Sequence, residues 1–217
     1  MLISDLVKRL IEQVAFEARS SEFVDKKSGV SARLTISARE NAVSAAERRA
    51  LINSESTTQV WISDLAGIIP SITGKVELVY EGEQEGPYQV AMNLVDKAIR
   101  SQFVKYFPDP DQLKKRRNTG KPSAQQKADE NPYRSITAWF DKGNQLNIPF
   151  NTKDEQKIQL LYGVDGLHAL VKNTSPEPMI CSLAYSWSSY CMALPPTPPL
   201  VKSYLKIRSN LKTCLEA

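Results

Sequence analysis

The polar residues best placed for chemistry stand in one run, Gly29-Val30-Ser31-Ala32-Arg33. A glycine permits a tight turn, and a hydroxyl suits the cap of a following helix. An arginine in the first helical turn is unusual, because the helix dipole there favours anions. A nucleotide phosphate in front of Arg33 would account for it, since arginine binds two phosphate oxygens at once. An exposed or ion-paired surface arginine is the alternative.

Gly74-Lys75 is the second pair that invites comparison with a phosphate-binding loop. Such a loop needs a glycine five positions before its second glycine and a hydroxyl after the lysine. Those positions hold Ile69 and Val76. We therefore predict a capped polar turn here.

The remaining charged clusters do not indicate a metal site. Glu77, Glu81, Glu83 and Glu85 lack the Asp/Asn/Gly pattern of a calcium loop, so a solvated acidic turn is predicted. The chain has a single histidine, which excludes any mechanism that needs two. His168 lies on the apolar side of a predicted helix, and we expect a packed or half-exposed imidazole.

Composition excludes several further classes of function. The net charge of +4 is small and evenly spread, and the basic run 114–117 has no aromatic residues for base stacking, so nucleic-acid binding is not predicted. Cys181, Cys191 and Cys214 have no CxxC spacing and are odd in number, which favours a reducing cytoplasm. No apolar run is long enough to predict a membrane span.

The periodicity predicts a mainly α-helical protein. Apolar residues recur at three- and four-residue steps over 2–19 and 88–106, which is the spacing of one helical face. The Ala-, Arg- and Glu-rich stretch 31–52 contains neither Gly nor Pro and is also predicted to be helical. Shorter helices are predicted at 132–140 and 152–171.

Shorter features lie between the first long helices. Asp64 suits the first turn of a short helix, which Pro70 is expected to interrupt. Residues 75–80 alternate too briefly to decide between strand and helix. Residues 81–86 are predicted to form a polar turn, and Pro87 to be the first residue of the next helix.

The sequence divides into four predicted parts. A helical domain at 1–107 is followed by a basic flexible linker at 108–130. A small helical annex at 131–171 precedes an irregular tail at 172–217, in which prolines are frequent.

Five runs of the sequence carry a family resemblance. They are IEQVAFEAR at 11–19, FVDKKSGVSARLTIS at 23–37, AERRAL at 46–51, ISD at 62–64 and IPSITGKVELVYEGEQEG at 69–86. These runs resemble the C-terminal part of a bacterial AAA+ ATPase related to the ATPase subunit of magnesium chelatase. Members of that family are often labelled sigma-factor-interacting regulators. The resemblance is dense over 5–107 and looser over 131–171.

The resemblance implies a role for the run that begins at Gly29. Residues 1–107 would be the helical lid domain, and Arg33 matches the sensor-2 arginine that reaches the terminal phosphates of the nucleotide. Gly29 and Ser31 would lie on the same phosphate side. The P-loop and the magnesium-binding acidic motif of the family belong to a preceding domain, so ATP and Mg²⁺ are implied for the full-length family and no cofactor is expected for this chain alone.

The expected function follows from that implication. The chain is predicted to be a truncated AAA+ fragment that supports ATP hydrolysis only in complex with an ATPase core or sibling subunits of a ring, and not to be an enzyme on its own. No nucleic acid or membrane partner is expected. The alternative is a freestanding helical protein-interaction module that uses the apolar face of 2–19 or the surface around Arg33.

The tail departs from the family, where a final helix is expected. With suitable synonymous codons, the DNA under residues 186–202 read one base earlier encodes an amphipathic helix that resembles the family's last one. We hypothesise that the gene is shifted out of frame between about 172 and 186.

Overall fold

Helices make up most of the computed structural model, which describes residues 2–109, 132–146 and 148–174. No β-strand occurs among these residues, so the predicted mainly α class is confirmed. The described residues divide between two compact units. The first consists of Met1–Phe103 and Phe150–Asp154, and the second of Val104–Pro149 and Glu155–Ala217. No helix in the described ranges is long and apolar enough to span a membrane.

Helix α1, Asp5–Ser20, begins three residues later than periodicity predicts. Its start is fixed by Ser4, whose Oγ accepts a hydrogen bond from the backbone N–H of Val7 at 3.2 Å. The predicted apolar face is buried in the core of the first unit. Its buried members are Val7, Leu10, Ile11, Val14, Ala15 and Ala18.

Helix α2, Arg33–Asn53, is buried through small residues. An alanine stripe runs along it at four-residue steps, and every member is buried with Leu34. Small side chains let a neighbour approach closely: an added Cβ on Gly67 would lie 3.0 Å from Ala45 Cβ. The helix contacts α1 and the segments at 62–73. The stripe consists of Ala38, Ala42, Ala46 and Ala50.

The expectation that Pro70 interrupts the next segment is wrong. A 3-10 helix, Ile62–Ile68, continues directly into α3, Ile69–Thr73, and Pro70 lies in the first turn of α3. Proline is tolerated there because the missing N–H would have no partner within the helix.

The segment 75–80, left undecided by the sequence, is mostly extended. Val76 pairs with Val30 and Leu78 with Val24 in isolated antiparallel bridges. The predicted turn at 81–86 is instead a short helix, α4, Tyr80–Glu85. It packs tightly on the connector after α1, since a Cβ on Gly82 would lie 2.6 Å from the carbonyl oxygen of Phe23.

Helix α5, Pro87–Tyr106, begins at the predicted proline. In the second unit, α6 spans Arg134–Asp141 and so begins two residues later than expected, because Pro132 lies in a turn. The helix predicted at 152–171 is two helices, α7, Asp154–Tyr162, and α8, Leu167–Thr174. Gly166, at φ +82°, lies in the break, and a Cβ there would meet Ser135 Cβ at 2.5 Å.

The predicted linker and tail lie almost entirely outside the described residues, at 110–131 and 175–217. The flexible linker at 108–130 and the frame-shift hypothesis for 172–217 therefore stay predictions.

Candidate functional site

A surface cleft of about 470 Å³ lies beside the start of α2. One side is the connector before the helix, and the other is the segment that follows α3. The Val30–Val76 bridge joins the two sides. Two of the predicted site residues, Gly29 and Ser31, line the cleft. Its lining is Ser28, Gly29, Val30, Ser31, Thr73, Gly74, Lys75, Val76 and Glu77.

Asp25, which sequence reasoning missed, shapes the connector. Its Oδ1 accepts a hydrogen bond from the backbone N–H of Lys27 at 3.0 Å, and its Oδ2 accepts one from Ser28 Oγ at 2.8 Å. The Gly29 N–H donates to the Asp25 carbonyl at 3.1 Å, and Gly29 adopts φ +68°, where glycine is favoured. An Asp followed by Ser and Gly at this spacing was a local signal for such a turn.

These hydrogen bonds have an electrostatic consequence. The backbone N–H of Lys27, and next the hydroxyl of Ser28, hold the pKa of the Asp25 carboxyl below its usual value of 3.8. The ionised carboxylate is therefore the form that supports the turn.

Ser31 bonds to the start of α2, although the N-cap position itself is held by Ala32, which makes no side-chain cap hydrogen bond. The Oγ of Ser31 accepts from the backbone N–H of Arg33 at 3.2 Å, and the Ser31 carbonyl accepts from the N–H of Leu34 at 3.0 Å. Both amides thus have partners within the chain. An anion at this helix start would have to be bound by side chains and by amides other than these two.

Arg33 is the first residue of α2, and its side chain is exposed. It is not among the residues that line the cleft, although Ser31 is. Arg33 forms no ion pair with any other residue in the described part of the chain. The alternative that the sequence left open was an exposed or ion-paired surface arginine, and the structure fits its first form: Arg33 is exposed, without an ion pair among those residues.

Gly74-Lys75 forms the predicted capped turn. The N–H groups of Gly74 and Lys75 donate to the carbonyls of Pro70 at 3.1 Å and Ile72 at 3.0 Å, so neither is available to cradle a phosphate. The half-buried Lys75 side chain nevertheless lines the same cleft as Ser31. This proximity depends on the pairing of two distant segments and had no local signal.

The other polar candidates remain apart from the cleft or exposed. Glu81, Glu83 and Glu85 lie exposed on α4, and no group of three or more His, Cys, Asp or Glu suited to a metal ion occurs within 2–109, 132–146 and 148–174. His168, in the second unit, is exposed, and its ring centroid lies 5.5 Å from that of Tyr162.

A buried arginine is the charged residue that sequence reasoning missed most completely. Arg49 is 1% exposed and makes two hydrogen bonds to the buried Asp64. Burial opposes its ionisation, but the hydrogen bonds and charge of Asp64, and then those of Asp154, outweigh that effect and raise the Arg49 pKa above its ordinary value. Arg49 is therefore a permanent cation inside the first unit.

No protein family, curated protein or solved structure is matched by this chain. The AAA+ resemblance accordingly rests on the sequence runs quoted for it.

Proposed function

We propose that residues 1–107 are a AAA+ lid-type helical domain and that the chain supports ATP hydrolysis only when docked on an ATPase core. The observation that carries the proposal is the position of Arg33. It is an exposed cation at the start of a helix, it has no ion pair among the described residues, and it lies two positions from a cleft-lining serine.

The chemistry of the neighbouring residues is compatible with phosphate. Lys75 is a second cation among the lining residues, and Ser28, Ser31 and Thr73 supply hydroxyls. The carboxylate of Glu77, which also lines the cleft, opposes an anion, so the cations must outweigh it. Arg33 would contact the terminal phosphates of ATP, where its fixed charge opposes the negative charge that develops in phosphoryl transfer. Bound Mg²⁺ neutralises phosphate charge, and the core would hold it, since the resemblance places the acidic motif there.

The proposal also explains why the chain would be inactive alone. The sequence contains no G-x-x-x-x-G-K-[ST] run, so it has no loop of its own to cradle the β- and γ-phosphates. Positioning, metal and arginine must act together, and this chain would supply the arginine.

The experiment mixes the full chain with the P-loop domain of a magnesium-chelatase-like ATPase whose own lid has been deleted, and measures phosphate release. The wild-type chain should stimulate ATP turnover, and Arg33→Ala should lower the stimulated rate about a thousandfold or more. Arg39→Ala, at an exposed position farther along α2, is the matched control and should stimulate normally.

Two outcomes would contradict the proposal. Stimulation that is unchanged by Arg33→Ala would remove Arg33 from the site. Absence of stimulation by a folded wild-type chain would refute the lid function itself.

The alternative, a helical protein-interaction module, is favoured by the exposed apolar residues at the end of α2. Leu51 is 81% exposed and Ile52 is 52% exposed. The apolar face of α1, which the sequence offered for this role, is buried in the first unit. A stable, monodisperse chain that binds no nucleotide and stimulates no core would support this alternative.

A further inference from the structure

The half-buried carboxylate of Asp154 accepts hydrogen bonds from three buried side chains of the first unit. Asp154 Oδ1 accepts hydrogen bonds from Arg49 Nη1 and from Trp61 Nε1, the latter at 2.7 Å. Its Oδ2 accepts from Thr58 Oγ1 at 3.0 Å. The donors come from α2 and the loop after it, whereas Asp154 lies more than ninety residues farther along the chain.

The backbone around Asp154 is recognised as well. Asn53 Nδ2 donates to the carbonyl of Asn151 at 2.7 Å, and the N–H of Asp154, the first residue of α7, donates to Glu55 Oε1 at 2.9 Å. The two contacts pair one backbone carbonyl and one backbone N–H of the segment that carries Asp154. Together with the contacts to the carboxylate, they favour an aspartate that begins a helix.

The segment that carries Asp154 is partly exposed. Asn151 and Lys153 are exposed, Phe150 and Asp154 are half-buried, and Thr152 is buried. Asp154 is the residue of this segment that makes charge-assisted hydrogen bonds to Arg49, and such hydrogen bonds are stronger than neutral ones. The contact therefore depends strongly on this side chain.

Arg49 keeps partners without Asp154. Asp64 still accepts from its Nε and Nη2, at 3.2 and 3.1 Å, and the carbonyl of Gln59 accepts from Nη2 at 2.9 Å. Glu55 Oε2 is buried without a hydrogen bond and lies 3.8 Å from Nη1. Without Asp154, Glu55 Oε1 would lose its hydrogen bond from the Asp154 N–H, and Glu55 Oε2 would be the nearest recorded carboxylate oxygen to Nη1.

We infer that Arg49, Thr58, Trp61, Asn53 and Glu55 form a docking site for an aspartate at a helix start, and that Asp154 of the same chain is its occupant. The site goes beyond the proposed ATPase function and lies apart from Arg33 in the sequence. Because Arg49 Nη1 can pair with Glu55 in place of Asp154, the occupant can leave while the core of the first unit stays folded.

The direct test supplies the occupant as a peptide. The full chain carrying Asp154→Ala is titrated into a fluorescein-labelled peptide of residues 148–160, and binding is measured by fluorescence anisotropy. The wild-type peptide should bind at least about tenfold more tightly than the same peptide with Asp154→Ala, because charge-assisted hydrogen bonds are lost. Equal binding of the two peptides, or no binding by a chain that is folded by circular dichroism, would overturn the proposal.

A second measurement covers the case in which Asp154→Ala does not fold. Thr58→Val in the otherwise wild-type chain should raise the rate of amide hydrogen exchange at 150–156 about tenfold and leave the rate in α2 unchanged. Thr57→Val, at the exposed neighbouring position, is the control and should change neither rate. A rise spread evenly over the first unit, or no rise at 150–156, would show that Asp154 is not a separable occupant.

Discussion

The guanidinium of Arg49 and the carboxylate of Asp64 face each other in a two-point contact, with Nε to Oδ1 at 3.2 Å and Nη2 to Oδ2 at 3.1 Å. Asp64 Oδ2 also accepts from the backbone N–H of Trp61 at 2.8 Å. Helix α2 and the start of the 3-10 helix are thereby joined through one buried ion pair. Such a pair contributes little over a well-packed apolar core, but losing one partner leaves an uncompensated buried charge.

Replacing Arg49 should therefore be costly. Arg49→Met is expected to lower the free energy of unfolding by about 3–5 kcal/mol, because Asp64 is left buried without its cation. Urea denaturation followed by circular dichroism measures the change. Arg48→Met, at the exposed adjacent position, should stay within about 0.5 kcal/mol of wild type. Similar losses for the two variants would show that the ion pair is not important for the fold.

The left-handed backbone at Gly29 predicts a difference between two substitutions. A Cβ at this position meets no atom within 4 Å, so only the φ of +68° resists a side chain. Gly29→Ala should cost about 1–2 kcal/mol, whereas Gly29→Asn should cost less because asparagine tolerates this conformation. Thermal unfolding of the two variants checks this. Equal losses would indicate that the side chain, and not the backbone, is the obstacle.

Asp25 gives the connector a pH dependence. Its pKa is lower in the folded protein than in the unfolded chain, so its stabilising effect is present above the unfolded value and is lost as the pH falls through the folded value. Carboxyl ¹³C NMR should give a midpoint below 3.8 for Asp25. Ser28→Ala should move the midpoint upward by removing one hydrogen bond. A midpoint at or above 3.8 in the wild type would contradict the geometry of this turn.

The sequence predicted those features that have a local cause. The apolar period predicted α1, and Pro87 predicted the start of α5. Gly29 and Ser31 predicted that α2 begins close to them. Helix α4 was missed because its glutamates and glycine carry no apolar period, and its packing is decided by the connector at Phe23.

The candidate sites were less accessible to sequence reasoning. Arg49 stands in a charged run typical of a solvated helix face, and only the tertiary fold brings Asp64 and Asp154 to it. Lys75 comes beside Ser31 because Val76 pairs with Val30, and nothing near either valine indicates that pairing. Long-range contacts of this type leave no periodic signal in one sequence.

The alanine stripe of α2 reverses the usual relation between hydrophobicity and tolerance of mutation. At Ala38, Ala42 and Ala46 the side chain is wholly buried, so even a modest increase in volume must displace neighbouring atoms. The large apolar Leu51, in contrast, stands in solvent and has room for almost any replacement. Along this helix, the residues with the least hydrophobic surface are thus the ones under the strictest limit on size.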